Sequence, residues 1–296
     1  MKKLLLLLII PFLSFGQDLT YVPDDDFEQA LILLGHDDVL DNYVLTNNIS
    51  SLTVLNVSNP IGYYNNGTYT EAYLSISDLT GIEDFVSMTS LLFNYHNVTS
   101  IDVSNMLNLT MLYCRDNELI ELDLSNNVNM TNLDCKGNNI TNLNVANCPN
   151  MTNLYAWDNA ISSIDVANMN NLQALVCHNN NLSQINMPTS TDLYVFTCNN
   201  NNLSQLDVSN NTSLIELRCS DNNISCVQVW DVTYAIEQEQ CMLNKFCFEK
   251  DENTVWSLDC EYDASVKELL VYKTLIKTID ILGRESTNKG LQLHIC

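Results

Sequence analysis

Residues Met130 to Asn150 read MTNLDCKGNNITNLNVANCPN. Apolar residues recur at regular short spacings in this stretch, and most of the positions between them are Asn or Thr. A shift of 21 residues superimposes the stretch on a similar segment, and repeated shifts give seven copies. The copies start at Met88, Leu109, Met130, Met151, Leu172, Leu193 and Leu214. A repeat of this length indicates a solenoid, in which each copy forms one coil and contacts its neighbours.

Two positions of the repeat are nearly constant. Five positions after its start each copy carries Cys114, Cys135, Cys177, Cys198 or Cys219, with Phe93 and Ala156 in the other two copies. Three positions later six copies carry Asn117, Asn138, Asn159, Asn180, Asn201 and Asn222, and the first copy carries His96. An inward amide offers two donors and an acceptor to backbone groups that a bend leaves unpaired, so we predict a structural asparagine ladder.

The pattern LxxLxCxxNxI across residues 88–229 resembles the leucine-rich repeat. The resemblance implies a leucine-rich-repeat solenoid, a right-handed β-rich or α-β superhelix with a parallel sheet on its concave face and a cap at each end. The second half of each copy, as in LIELDLSN at 119–126, then forms an extended segment on the opposite wall. Alternation supports the concave strand independently, since Leu133 and Cys135 would point inward while Asp134 and Lys136 point outward.

The ends of the chain predict export. Residues 1–16 carry two lysines, an apolar run and a small-residue cleavage site, which is typical of a secretory signal peptide and too short to span a membrane. The phrases YVPDDDFEQAL and LTGIEDF resemble the entry segment of exported bacterial leucine-rich-repeat proteins. IKTIDILGRE, within 262–296, resembles the type A sorting tail of the type IX secretion system, although the Gly-containing turn and basic last strand of such tails are missing. The chain is therefore expected to be secreted or at the cell surface, or periplasmic if the incomplete tail does not function.

Between these ends the sequence divides into three further parts. Residues 17–87 are predicted to form an N-terminal cap and irregular first coils, 88–229 the seven repeats, and 230–261 a C-terminal cap. The N-terminal cap is expected to include an amphipathic helix, because Phe27, Ala30 and Leu31 have helical spacing.

The cysteines fall into two groups. The five at the constant repeat position replace leucine and are expected to be buried thiols, which behave as small apolar side chains. Cys226, Cys241, Cys247 and Cys260 lie beyond the last copy, where a small cap with little core gains most from a disulfide. Four cysteines allow three pairings, and we favour Cys226 with Cys260.

Charge and motifs exclude several functions. The formal net charge of −24 argues against nucleic acid or an anionic membrane as partner, because phosphate binding needs clustered Lys and Arg. None of the four histidines stands in a nucleophile, zinc or phosphate-loop motif, so we predict no catalytic residues and no cofactor. The acidic residues at 24–26, 37, 38 and 41 lack the spacing and the Gly of an EF-hand, and a solvated cap face is favoured over calcium binding, so no metal site is predicted.

The outward positions of the concave strand vary from copy to copy. Only three basic residues occur between Met88 and Val227, and all fall on this face, whereas the opposite wall carries a row of aspartates. Tyr, Trp and Arg dominate binding hot spots, although tyrosines and a few charges also suit any exposed strand. The candidate ligand-binding residues are Tyr113, Arg115, Lys136, Tyr155, Trp157, His178 and Arg218.

These patterns predict an exported, non-enzymatic protein that binds an extracellular or cell-surface protein or glycan through its concave face. An adhesion or surface-interaction role is implied by the family resemblance. The alternative is a rigid structural spacer or surface module without a specific concave-face ligand.

Overall fold

The computed structural model describes residues 18–65, 67–239 and 247–260. The predicted signal peptide at 1–16, the sorting-tail-like segment at 262–296 and Cys241 lie outside the described residues. In chain order the elements are β1 (Leu19–Tyr21), α1 (Asp25–Leu33), β2 (Tyr43–Leu45), α2 (Thr46–Ile49), β3 (Val54–Asn56), β4 (Ile61–Asn65), β5 (Thr68–Ala72), a 3-10 turn (Ile82–Asp84), β6 (Ser90–Leu92), β7 (Met111–Tyr113), β8 (Glu121–Asp123), β9 (Asn132–Asp134), β10 (Asn142–Asn144), β11 (Asn153–Tyr155), β12 (Ile164–Asp165), β13 (Ala174–Val176), β14 (Ile185–Asn186), β15 (Val195–Thr197), β16 (Leu206–Asp207), β17 (Glu216–Arg218), β18 (Cys226–Gln228), α3 (Val232–Gln238), β19 (Phe248–Glu249) and β20 (Val255–Ser257).

The concave wall is a nine-stranded parallel sheet with the order β19-β17-β15-β13-β11-β9-β7-β6-β3. Its strands align at the 21-residue spacing, so that Leu133 pairs with Leu112 on one side and Leu154 on the other. The middle residue of each strand in the repeats is fully buried, and Cys135 and its equivalents are buried as well. The predicted leucine-rich-repeat solenoid is therefore confirmed.

The opposite, convex wall carries shorter parallel ladders, namely β8 with β10, β12 with β14, and β16 with β18 and β20. The aspartates of this wall have a structural role. Oδ1 of Asp123 accepts the N–H of Ser125 at 2.9 Å and the side-chain amide of Asn144 at 2.9 Å. Oδ1 of Asp102, Asp165 and Asp207 likewise accepts the N–H two residues ahead. Each carboxylate holds the turn that follows the segment, which needs no basic partner.

A left-handed residue ends each concave strand region. The residues seven positions after the copy starts have φ of 54° to 64°, and they are Tyr95, Asp116, Gly137, Asp158, Asn179, Asn200 and Asp221. Asn, Asp and Gly tolerate this conformation better than other residues, which explains why every copy except the first carries one of them at this position. At Gly137 a Cβ atom would also come within 2.5 Å of Oδ1 of Asp116 on the preceding coil.

The N-terminal cap closes the first coil with α1. Phe27, Ala30 and Leu31 are fully buried, in agreement with the helical spacing. Asp24 caps the helix by accepting the N–H of Phe27 at 2.9 Å, and its other oxygen accepts the N–H and hydroxyl of Ser77, both at 2.9 Å. Burial acts to raise the pKa of Asp24, but these hydrogen bonds together lower it below its ordinary value.

An antiparallel hairpin interrupts the early coils. Leu55 of β3 pairs with Leu91 of β6, a separation of 36 positions that exceeds the repeat by fifteen. The fifteen residues at 59–73 contain β4 and β5, so this hairpin accounts for the excess. It carries exposed tyrosines, among them Tyr69 and Tyr73.

The C-terminal cap extends both walls. β19 adds to the concave sheet beside β17, and β20 adds to the convex ladder beside β18. Trp230, Tyr234, Phe248 and Trp256 pack together with ring centroids 5.5–6.2 Å apart. A disulfide joins Cys226 to Cys260, the pair favoured from the sequence, with the Cα atoms 5.7 Å apart.

Candidate ligand-binding face

The asparagine ladder positions the concave strands relative to one another. Asn138 accepts the N–H of Leu119 at 3.0 Å and donates to the carbonyl oxygens of Cys114 and Cys135, each at 3.0 Å. Every other asparagine of the ladder repeats this arrangement, bridging its own coil to the preceding one. The ladder thus satisfies backbone groups at the bend and fixes the coils in register.

His96 replaces asparagine at the first position of the ladder. Its Nδ1 accepts the N–H of Ile76 at 3.3 Å, and its Nε2 lies 2.6 Å from the carbonyl oxygen of Val57. This arrangement requires a neutral ring with its proton on Nε2. Burial lowers the pKa of His96 below its ordinary value, which agrees with that requirement.

The side chains at the centre of the concave face form a contiguous aromatic and cationic cluster. The ring of Trp157 is 5.9 Å from that of Tyr155, edge to face, and 5.6 Å from that of His178, nearly parallel. Nζ of Lys136 lies 4.9 Å from the centroid of Trp157, within the range of a cation–π interaction. These four residues, here called the central cluster, come from three neighbouring coils. They contact one another because strands in register place equivalent positions of successive coils about 4.8 Å apart.

A charged pair flanks the central cluster. Nη2 of Arg115 is 3.1 Å from Oδ2 of Asp134, and the guanidinium lies 5.8 Å from the centroid of the Tyr113 ring. Asp134 is 5% exposed, and burial raises its pKa even though Arg115 acts in the opposite direction. Because the carboxylate is desolvated and the guanidinium is only partly exposed, the pair holds the two side chains in place at little net gain in stability.

Arg218 lies away from the central cluster. It is on β17, two strands beyond β13, and its side chain contacts Glu216 at 2.7 Å and Glu249 at 3.4 Å. Two acidic partners pair with its guanidinium, although its charge still acts to lower the pKa of His178. The structure therefore brings six of the seven candidate residues together and separates the seventh; whether any of them binds a ligand stays a prediction.

Lys136 differs from the two arginines. Within the described ranges no carboxylate oxygen lies within 4 Å of its ammonium group, whereas Arg115 and Arg218 are both ion-paired. Its positive charge is directed at the face of Trp157 and is available to a ligand.

His178 is held in a fixed orientation. Its Nδ1 is 3.1 Å from the hydroxyl oxygen of Thr197 on the next coil, and its ring stacks on Trp157. Burial and, to a smaller extent, Arg218 lower the pKa of His178, while Asp158 acts to raise it. The ring is therefore neutral near pH 7 and serves as an aromatic surface.

A further column of concave side chains was not predicted from the sequence. These residues lie two positions after the copy starts, and the amide of Asn153 donates to Oδ1 of Asn132 at 2.8 Å. Beside them, the hydroxyls of Thr110, Thr131 and Thr152 each donate to the carbonyl of the residue 21 positions earlier. The recurrence of Thr at 89, 110, 131 and 152, with Asn at 132 and 153, was the available signal. These bonds connect neighbouring coils beside the central cluster.

The thiols lie behind the face. Cys114, Cys135, Cys177, Cys198 and Cys219 are buried and free, as is Cys148 on the convex side. Burial raises the pKa of Cys177 to about 12 and that of Cys148 to about 11. Cys247 is disulfide-bonded. The ladder thiols are therefore packing groups behind the sheet.

No group of three or more His, Cys, Asp or Glu side chains is placed to share a metal ion among the described residues. No described helix is long and apolar enough to cross a membrane.

Solved structures with the same architecture place the chain among leucine-rich-repeat folds. Internalin C2 from Listeria monocytogenes matches with a TM-score of 0.53 and 20% identity over 78% of this chain and 95% of that one. The functional domain of InlJ from Listeria monocytogenes, which includes a cysteine ladder, matches with a TM-score of 0.46 and 20% identity over 82% of this chain and 64% of that domain, so the chain spans slightly less than two thirds of it. A leucine-rich-repeat protein from Leptospira interrogans matches with a TM-score of 0.47 and 14% identity over 76% of this chain and 60% of that one. No protein-family model matches the sequence, and no curated protein sequence is similar to it. At these identities the likeness establishes the fold, and the ligand has to be argued from the site.

Proposed function

We propose that the protein is an exported, non-enzymatic binding protein and that its concave sheet recognises an extracellular or cell-surface protein or glycan. The observation that carries the proposal is the central cluster of Lys136, Tyr155, Trp157 and His178. These side chains are not needed in the core, yet they contact one another across three coils in the middle of an open sheet.

The composition of the cluster suits recognition. Aromatic rings supply large contact areas at low conformational cost, and Trp, Tyr and Arg account for most hot spots in protein interfaces. The rings of Tyr155 and Trp157 can pack against an apolar protein side chain or a sugar ring. Lys136 adds a positive charge that can pair with a carboxylate on the same ligand.

The size of the face is adequate. Seven strands at about 4.8 Å spacing give a surface roughly 34 Å long. Such a surface can bury roughly 800 Å² on each partner, which is the size of a standard recognition interface.

The test compares capture by variants of the mature chain. Trp157→Ala is expected to weaken binding to a cell-surface protein or glycan extract by tenfold or more, roughly the loss of 1.4 kcal/mol or above. Its thermal midpoint should stay close to that of the wild type, because the ring lies outside the core. Leu107→Ala is the matched control, since Leu107 is a large exposed side chain elsewhere on the surface.

The outcomes separate the alternatives. Loss of capture in Trp157→Ala but not in Leu107→Ala, with both variants folded, supports a concave binding site. If Trp157→Ala and Leu107→Ala capture the ligand equally well, or if no protein including the wild type captures one, the structural spacer is supported instead. Treatment of the extract with protease or with glycosidases then distinguishes a protein ligand from a glycan.

We also propose that export uses the signal peptide at 1–16 and that the tail at 262–296 directs type IX secretion. The proposal rests on the sequence resemblance alone. The mass of the exported protein would establish cleavage before Gln17, and deletion of the tail should leave the chain in the periplasm. Unchanged surface display after this deletion would refute the role of the tail.

A further inference from the structure

The loop after α1 covers a carboxylate that has one oxygen without a partner. Glu28 is 0% exposed, and its Oε1 accepts the N–H of Asp41 at 2.9 Å and the N–H of Tyr43 at 3.0 Å. Its Oε2 is also buried and has no hydrogen-bond partner. No Lys, Arg or His of the described ranges forms an ion pair with it. A buried polar atom without a hydrogen-bond partner is costly, so this arrangement calls for a further group beside Oε2.

A second buried oxygen without a partner lies in the same loop. Oδ2 of Asp37 is buried and makes no hydrogen bond. Burial raises the pKa of Asp37, and the nearby negative charges of Glu28, Asp38 and Asp41 raise it further, while a backbone hydrogen bond from Asp38 acts in the opposite direction. Because Glu28 accepts the N–H groups of Asp41 and Tyr43, the loop that carries Asp37 closes over the Glu28 carboxylate. Two buried carboxylate oxygens that lack donors at one loop are an arrangement that a bound cation can stabilise.

We propose that the loop at residues 34–42 binds one calcium ion between Oε2 of Glu28 and Oδ2 of Asp37. Calcium accepts six to eight oxygen ligands in irregular geometry, and carbonyl oxygens of the loop and water can supply the remainder. It therefore does not need the three side-chain ligands that the described ranges lack. Zinc prefers nitrogen and sulfur ligands in a closed tetrahedron, and magnesium requires a near-ideal octahedron, so both fit this loop less well.

The proposal departs from the sequence expectation of a solvated acidic face. An EF-hand takes its ligands from one 12-residue loop, and this chain lacks that pattern. Here one ligand is a helix residue and the other follows nine positions later in the loop. The burial of Glu28 could not be inferred from the run of acids, because surface carboxylates and ligating carboxylates have the same local sequence.

Calcium in this position would fasten α1 to β2. Oε1 of Glu28 already holds the N–H of Tyr43, the first residue of β2, and the ion would hold the second oxygen of the same carboxylate. Two carboxylates give a modest affinity, with a Kd of about 0.1–1 mM by comparison with weak calcium modules. The ion would thus stabilise the N-terminal cap where free calcium is at millimolar concentration.

The experiment measures thermal unfolding of the full mature chain in EDTA and in 10 mM calcium or magnesium chloride at matched ionic strength. Calcium is expected to raise the midpoint by roughly 3–10 °C, given a ten- to hundredfold excess over Kd. Magnesium should produce a much smaller shift. Isothermal titration with calcium chloride should give one site per chain.

Variants guard against diffuse binding to this acidic chain. Asp37→Asn should abolish the calcium-specific shift and remain folded, since Oδ2 of Asp37 holds no other group. Asp25→Asn, which removes an exposed carboxylate from the same cap, should respond like the wild type. Glu28→Gln should also lose the response, and it keeps an oxygen to accept the two N–H groups.

Three results would overturn the proposal. One is the absence of any calcium-specific shift in the wild type. Another is a shift of equal size in Asp37→Asn, which would assign the effect to the net charge of the surface. The third is a wild type whose stability in EDTA rises as the pH falls from 7 to 5 and does not rise with calcium. That result would mean that Glu28 and Asp37 share a proton in place of the ion.

Discussion

Replacing Asn138 by Ala tests the asparagine ladder most directly. The side chain is 8% exposed and accepts one N–H, from Leu119, while its amide donates to three carbonyl oxygens. The carbonyl of Cys114 retains a second donor, Asn117, at 3.2 Å, so the main loss is the partner of the buried Leu119 N–H. Such a loss costs about 1–3 kcal/mol. At about 2–4 °C per kcal/mol for a chain of this size, the thermal midpoint should fall by roughly 2–12 °C.

The assay is urea unfolding of the oxidised chain, with the midpoint as readout and an unchanged slope as the check that the unfolded surface is the same. Asn139→Ala is the matched control, because the neighbouring side chain is exposed. Asn138→Asp sharpens the test, since a carboxylate keeps the acceptor for Leu119 but sets negative charge against three carbonyl oxygens. We expect it to be less stable than Asn138→Ala at pH 7 and to recover in acid, where the protonated form can donate. A cost below about 0.5 kcal/mol for Asn138→Ala, or wild-type stability for Asn138→Asp, would refute the role assigned to the amide.

Three further predictions concern titration, thiols and the disulfide. The folded-state pKa of His96 is lowered, so its contribution to stability is complete above the unfolded pKa of about 6.5 and is lost as the pH falls through the lower folded pKa. His96→Asn should therefore reduce the fall in the urea midpoint between pH 7 and pH 5. A fall of the same size as in the wild type would contradict this. The buried thiols should react with a thiol reagent such as DTNB only as fast as the chain opens, because burial raises the pKa of Cys177 to about 12; rapid labelling of the native protein would show that the ladder is accessible. Cys226→Ser with Cys260→Ser should lower stability by about 2–4 kcal/mol in urea unfolding, and dithiothreitol should then destabilise this variant less than the wild type.

The fold could be predicted because seven copies of the repeat carry the same pattern of apolar and polar residues, and each copy forms one coil. Leu133 and Cys135 point inward, as their spacing in the sequence implies, since one register serves all coils. The contiguity of Lys136, Tyr155 and Trp157 also followed from the period, because residues one copy apart become neighbours. Such inferences need only the alternation of inward and outward side chains along a strand and a constant repeat length.

Features that depend on long-range contacts escaped the sequence analysis. The pairing of Arg218 with Glu249 joins residues 31 positions apart, across a cap that breaks the period. The hairpin at β4 and β5 reads as a polar insertion because Asn, Thr and Tyr dominate residues 59–73 and its antiparallel pairing lies outside the 21-residue period. The left-handed residues were overlooked for a different reason, since Asp, Asn and Gly at this position looked like ordinary polar residues beside a constant asparagine.

The direction of the ladder bonds bears on how such an array can change its length. Each asparagine bonds to its own coil and to the coil before it, and the same set recurs every 21 residues. Duplicating or deleting one whole coil therefore leaves every amide with its usual neighbours, whereas an insertion of another length has to loop out of its coil, as the hairpin at 59–73 does. Tandem duplication of 21 codons therefore lengthens the repeat region by one coil that makes the same ladder bonds as its neighbours, so relatives of this array are expected to differ in length by whole coils.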